Sequence, residues 1–409
     1  MFYVKDYYHF NEIIELTECL ISIPSHYHTP HQEKEVAEFI YDFCGGHGLQ
    51  VKYQHVKGKR KNVLAILPGS GKGNSLMLNG HLDTVPPGSM TIHPYREGVR
   101  DGFVWGRGAA DMKGGLAVMI MAMIAMRRAG VIPDGDLVFA GVVGEEGKSE
   151  GTEHLINSGI RTTAAIVGEP SNYEYAVGHR GLEWFDVIFK TRAAHSGSPE
   201  EHSNAIEKAA EFIYRVKQDL YPKIRERQNE FAGVSLMNVG VIEGGQGQST
   251  VADSCTVKID RRYIPGETVE SVMQEYQDIL DKMTAQDSNF SAIIRKSPAN
   301  VMKMNHPPLI TPMNEPVVHA VKTSIREVIK REPKITLGRG WTDAALLKVY
   351  GKIPTVVFGP GNIRHSHTAD ERIAIRDLVN TTEIFVRIID NFCIKDKITE
   401  TGPYDPWYY

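Results

Sequence analysis

Five short apolar runs, at residues 62–67, 75–78, 137–143, 164–167 and 355–358, alternate along this chain with longer stretches of helical periodicity such as 34–43 and 115–128. The alternation predicts an α/β fold, a sheet with helices on both faces. The residues directly after the runs constrain the chain further. The second run leads into His81-Leu82-Asp83, the third into Glu145-Glu146, the fourth into Glu169, and the fifth into Gly359-Pro360-Gly361 and then His367. Open α/β sheets bind ligands beyond the carboxyl ends of their strands, so these side chains are expected to converge from distant segments. Imidazoles and carboxylates gathered at strand ends are costly to desolvate unless a partner or a metal neutralises them. With Asp111 in Gly106-Arg107-Gly108-Ala109-Ala110-Asp111 they make a donor set that suits a divalent ion such as zinc.

The middle of the chain has a different pattern. Strand 183–190, helix 204–217, strand 234–243, strand 255–260, helix 268–283 and strand 291–296 succeed one another in the β-α-β-β-α-β order of a ferredoxin-like unit. A chain of 409 residues is long for one domain. Residues 179–306 are therefore read as an α+β domain inserted into a first domain built from 1–178 and 307–409, whose helical pattern resumes over 315–330.

Composition narrows the class of partner. A formal charge of −4 and a pI near 6.5 leave no basic excess for nucleic acid or an anionic membrane surface, so a small molecule is expected. The apolar run 116–126 falls short of the roughly 20 residues that span a bilayer, and Arg127-Arg128 closes it, so it reads as a buried helix. Cys19, Cys44, Cys255 and Cys393 have no paired spacing, which excludes a thiolate zinc ribbon and gives no disulfide framework. The N-terminus has neither the basic nor the apolar region of a signal peptide, and a cytoplasmic location is expected. Three other features carry no function. The glycines of 69–74 lack the Ser or Thr of a phosphate loop, the methionines of 119–126 read as core, and His26, His28 and His31 read as solvent-facing. No role is assigned to the aromatic tail 404–409.

The order and spacing of several motifs resemble the M20 metallopeptidases, a family that includes deacylases and exopeptidases. They are Ile23-Pro24-Ser25, Gly80-His81-Leu82-Asp83-Thr84-Val85-Pro86, the Asp111 segment through Gly115, Gly144-Glu145-Glu146-Gly147, Gly168-Glu169-Pro170, Ala194-His195-Ser196, and His367-Thr368-Ala369-Asp370-Glu371. The resemblance implies a zinc-peptidase-like mixed sheet, with the insertion serving as lid and dimerisation domain. It also implies two divalent ions, zinc with cobalt or manganese as alternatives, bridged by Asp111 and a water. His81 and Glu169 would complete one site, and Glu146 and His367 the other. Asp83 would orient the His81 imidazole, the Asp111–Met112 peptide bond would be cis, and Glu145 would be the general base. His195 would reach the active site of the partner subunit in a homodimer, and Arg180 and Arg262 would bind a substrate carboxylate. Surface ion pairing is the alternative for both arginines. His365 competes with His367, which is preferred for the Thr-Ala-Asp-Glu after it.

The chain departs from the family pattern at Thr191-Arg192-Ala193, at Ser249-Thr250-Val251-Ala252 and at Trp341, a large ring beside Thr342-Asp343. These positions bear on substrate rather than on metal. The expected activity is removal of the acyl group from an N-acyl amino acid or related amine. A dipeptidase or carboxypeptidase acting on short peptides is the alternative, and an inactive binding or scaffold protein is the alternative from another class.

Overall fold

Within the strand Leu76–His81, Leu76 and Leu78 enter one hydrophobic core and Met77 the other, so the period of two already shows a sheet buried on both faces. The computed structural model describes residues 7–197, 203–300, 303–338 and 340–394, and the tail 404–409 lies outside them. The main sheet runs in the order Gln50–Lys57, Arg60–Leu67, Leu137–Val142, Leu76–His81, Ala164–Val167, Thr355–Val357. The first two pairings are antiparallel and the others parallel, which makes the sheet mixed as expected. The edge strand Gln50–Lys57 is not among the expected apolar runs. Its residues alternate between exposed and half-buried, and their polar composition hides a strand with a single weak apolar face.

The helix Gly114–Arg128 is buried from Gly114 through Met126. With the preceding turn, the stretch Ala109–Arg128 has the length and hydropathy of a membrane span, yet it is enclosed by the sheet and by the helices Phe10–Ser22 and Ile375–Cys393. The opposite face of the sheet is covered by Glu150–Asn157 and Ala344–Val349.

Residues 181–296 build a second, antiparallel sheet in the order Leu236–Gly244, Ser254–Tyr263, Gly181–Lys190, Ser291–Lys296. Its own core joins Phe185, Val187, Phe189, Val257 and Ile259 to Phe212 of the helix Ala205–Arg215 and Tyr276 of the helix Val269–Gln286. Asn204 and Thr268 cap these helices, their side chains accepting the N–H groups of Ile206 and Ser271. The strand expected from residue 234 begins at Leu236, because Gly233–Val234 pairs separately with Gln228–Asn229. The segments that enter and leave this unit run side by side: Gly178–His179 pairs with Leu309–Ile310, and the Tyr263 hydroxyl donates to the His306 carbonyl at 2.7 Å.

Where the strands Ala164–Val167 and Thr355–Val357 end, the backbones approach closely. A Cβ added at Gly359 would lie 2.1 Å from the Gly168 carbonyl oxygen, one residue before Glu169. Gly359→Ala should destabilise the protein by roughly 1–3 kcal/mol, the range for overpacking a closed site. The measure is the urea midpoint; an unchanged midpoint would show that the two strand ends can part.

Candidate metal centre

The register of the parallel strands levels their carboxyl ends. His81 pairs with Val142, Asn79 with Val167, and Val167 with Val357. Each strand then hands over to the segment that bears a candidate ligand, so His81, the Glu145-Glu146 turn, Glu169 and the loop to His367 gather on one edge. Asp111 arrives from the tight turn before the buried helix, through an Asp111–Met112 peptide bond that is cis.

The five candidate ligands meet around Asp111. His81 Nε2 lies 3.0 Å from Asp111 Oδ1 and 3.6 Å from Glu169 Oε1. His367 Nε2 lies 3.3 Å from Asp111 Oδ2 and 2.8 Å from Glu146 Oε1. One oxygen of Asp111 thus faces each imidazole, with Glu169 on the His81 side and Glu146 on the His367 side. His365 has no such contact, its main-chain carbonyl accepting from the Thr368 hydroxyl at 2.8 Å.

Asp83 meets the His81 ring through its main chain rather than its carboxylate. The group bonded to His81 Nδ1 is the main-chain carbonyl of Asp83, at 2.9 Å, while the nearest carboxylate oxygen is 3.6 Å away. The carboxylate instead accepts the backbone N–H groups of Gly144, Glu145 and Glu146 at 3.0, 3.1 and 2.9 Å. A tight turn offers several N–H groups to one buried anion, and they outcompete a single ring N–H. Asp83 therefore fixes the turn that bears Glu145 and Glu146, and its carbonyl leaves His81 Nε2 facing the cluster.

Two supports are not expected from the sequence. Glu371, fully buried, accepts the N–H groups of Ala110 and Asp111 at 3.1 Å each and is paired with Arg107. Buried Lys113 donates from Nζ to the Ile23 carbonyl at 2.6 Å, tying the Ile23-Pro24-Ser25 segment to the Asp111 turn. Both residues stand inside family motifs. For Lys113 the signal is a charge embedded in a glycine-rich segment; Glu371 stands among polar residues and has no such signal.

A cleft of about 550 Å³ opens over the cluster. Asp111, Glu145, Glu146, Glu169 and His367 line it at one end, and Trp341, Leu337 and Val357 line it elsewhere. Trp341 is held by a hydrogen bond from Nε1 to the Pro307 carbonyl and by edge contacts with His306 and His179. His195, Arg180 and Arg262 are not among the described lining residues. His195 is exposed on a short strand beside Thr250. Arg180 donates to the Val234 carbonyl at 3.3 Å, and Arg262 is bonded twice to Asp260, at 2.9 and 3.1 Å. Both arginines nonetheless bear on His179 of the cleft wall. Burial first, and then their positive charges, hold its pKa down at about 4.

The ionisable groups at the centre shift one another strongly. Burial, reinforced by Glu169, Asp343 and Glu146, pushes the Glu145 carboxyl well above its usual range against the opposing pull of His81. Burial likewise raises Glu169, with Asp111 and Glu146 adding to it. Hydrogen bonds to Asp111 and Glu146 push His367 up to about 10. Asp111 is held far below the carboxylate range, because the hydrogen bonds of His367 and His81 overcome its burial. Ligand atoms of His81, Asp111 and Glu146 lie within 4.8 Å of one another. Imidazole and carboxylate donors this close, with Asp111 divided between two imidazoles, fit divalent cations of the zinc type.

Residues 77–391 match the family model for Peptidase family M20/M25/M40. Among curated relatives, the chain is 28% identical to the N-formyl-4-amino-5-aminomethyl-2-methylpyrimidine deformylase of Bacillus subtilis, covering 95% of this chain and 96% of that protein. It is 29% identical to the acetylornithine deacetylase of Proteus mirabilis, covering 94% and 97%. Among solved structures it superposes with a TM-score of 0.70 on a Bacillus subtilis protein described as a dinuclear metal-binding peptidase of the M20 family, at 15% identity and covering 93% and 97%.

The sign of these shifts makes a prediction for metal uptake. His367, with a pKa near 10, and His81, also raised, hold protons at neutral pH in the metal-free protein and must lose them to coordinate. Calorimetric titration of the chelator-stripped protein with zinc should therefore show net proton release and an affinity that tightens as pH rises from about 6 towards about 9. Proton uptake, or affinity independent of pH, would contradict the assigned ligands.

Proposed function

The chain belongs to the M20/M25/M40 peptidase family, and from that premise we propose a dinuclear, zinc-dependent deacylase that removes the acyl group from an N-acyl amino acid or related N-acyl amine. It is a hydrolase acting on amide bonds, the class of its deformylase, deacetylase and desuccinylase relatives. The observation that carries the reading is the division of Asp111 between His81 and His367, with Glu145 at the same end of the cleft.

His81, Asp111 and Glu169 would hold one ion, and Asp111, Glu146 and His367 the other. Two such ions supply Lewis acidity and lower the pKa of a water towards about 7. Glu145 does the proton work at its carboxylate oxygens. It accepts the proton of the attacking water and returns it to the leaving nitrogen, which departs as a neutral amine rather than as a strongly basic amide anion. Asp83 keeps Glu145 in place through the three N–H groups of its turn. Zinc is the first choice from the mixed nitrogen and oxygen donors, with cobalt and manganese as substitutes.

A homodimer completes the proposal. The strand Leu236–Gly244 is an open edge with Val241 and Ile242 exposed, a surface on which a second copy could continue the sheet. His195, exposed and outside the cleft lining, would act on the partner's substrate by stabilising the oxyanion. Arg262 and Arg180 would approach the substrate carboxylate on closure of the inserted unit as a lid, Arg262 by exchanging Asp260 for it. A cytoplasmic location is supported by four unpaired cysteines, three of them buried.

A panel of N-formyl, N-acetyl and N-succinyl amino acids against dipeptides tests the substrate class, and preference for dipeptides would favour the exopeptidase. Glu145→Gln should keep both ions while turnover falls roughly 10²–10⁴-fold, the usual worth of a positioned general base. Glu146→Ala should lose metal instead; exchanged phenotypes would reverse the two roles.

For the dimer, inactive His195→Ala and inactive Glu145→Ala proteins should regain activity when their subunits are exchanged. Verified exchange without recovery would exclude a trans role for His195.

A further inference from the structure

Behind the turn that carries Glu145 and Glu146 lies an ion cluster that the proposed chemistry does not use. Arg60, in the strand Arg60–Leu67, donates from Nε and Nη2 to Glu33 Oε2 and Oε1 at 2.8 and 2.7 Å, and from Nη1 to Glu150 Oε2 at 3.3 Å. The Glu33 side chain is 2% exposed. Burying such a pair desolvates both ions and adds little net stability, so its location is the informative feature.

The guanidinium packs directly on Gly144. A Cβ added there would lie 2.6 Å from Arg60 Nη2 and 2.6 Å from Glu150 Oε2. Gly144 opens the turn at φ +80°, and its carbonyl accepts the N–H groups of Gly147, Lys148 and Ser149 at 3.2, 2.9 and 2.6 Å. Glu150 begins the next helix. One guanidinium therefore touches both ends of the turn, and Glu33 fixes it to the start of the helix Lys34–Gly46.

We propose that Arg60, clamped by Glu33, is a positioning residue: it sets where the turn holds Glu145 and Glu146 and so aligns Glu145 for proton transfer. The inference rests on the proposed role of Glu145 as general base. A planar fork bonded on two edges fixes position where a flexible ammonium would not, and a displacement of about 1 Å at a reacting group can cost on the order of 10²-fold in rate.

The test is the full chain carrying Arg60→Met together with Glu33→Gln, which removes both partners of the two-edged pair and leaves the partly exposed Glu150 to solvent. Amide hydrogen exchange at 144–149 should quicken at least about tenfold, with exchange in the buried helix 114–128 unchanged. Both ions should stay bound, and kcat on the best N-acyl substrate should fall roughly 10- to 100-fold at a KM within about twofold. Faster exchange with unchanged kcat, slower turnover with unchanged exchange at the turn, or faster exchange throughout the protein would each overturn the proposal. Loss of metal in step with activity would overturn it too. Should the double variant not fold, Arg60→Lys, which keeps the charge and loses the fork, carries the same readouts in milder form. If Glu145→Gln stays fully active, the proposed chemistry fails by itself, while the exchange data still report whether Arg60 holds the turn.

Discussion

Asp111, Glu145, Glu146 and Glu169 are packed against two imidazoles at one edge of the sheet, and the surrounding structure is arranged to hold that concentrated negative charge. Like charges at such separations push protons onto carboxylates or push the chain apart. The fold resists the second outcome with the two imidazoles and by fixing the backbone of the turns that carry the carboxylates. Asp83 binds three N–H groups of the Glu145 turn, and Glu371 binds the N–H groups of Ala110 and Asp111. Each places an acceptor where a tight turn offers unpaired donors.

Rigidity of this kind depends on the sheet. Parallel pairing brings His81 level with Val142, and Val167 level with Val357, so a slip of one residue would turn each preceding side chain to the wrong face and misplace every ligand at once. Gly168 and Gly359 permit the closest of these approaches. The long buried helix behind the sheet gives the Asp111 turn a fixed floor, with Met112 and Met119 both in that core.

Much of this is legible in the sequence because it depends on local pattern. The apolar runs mark the strands around His81, Val142, Val167 and Val357 to within a few residues, and the polar residues after them mark the cluster. The β-α-β-β-α-β order of the middle segment is likewise readable, since each element has its own apolar face. The unreadable part depends on partners far apart in the chain. Arg107 meets Glu371, and Arg60 meets Glu33 and Glu150, through pairings that no spacing encodes. Asp83 is recognisable from its motif as a support but its bond is not, because residue type does not say whether the carboxylate or the carbonyl will face the ring.

The second sheet with its two helices, the unit of residues 181–296, obeys a different constraint. Its core is separate, and it joins the main body through the paired segments at His179 and Leu309 and through the Tyr263 hydroxyl on His306. Near that junction stand Trp341, in contact with both His306 and His179, and the arginines whose charge is felt at His179. Any rotation of the unit about the paired segments must therefore shift groups on the wall of the cleft. The candidate ligands are carried instead by the carboxyl edge of the main sheet. The candidate ligands and the residues of the opposite cleft wall thus stand on different parts of the fold.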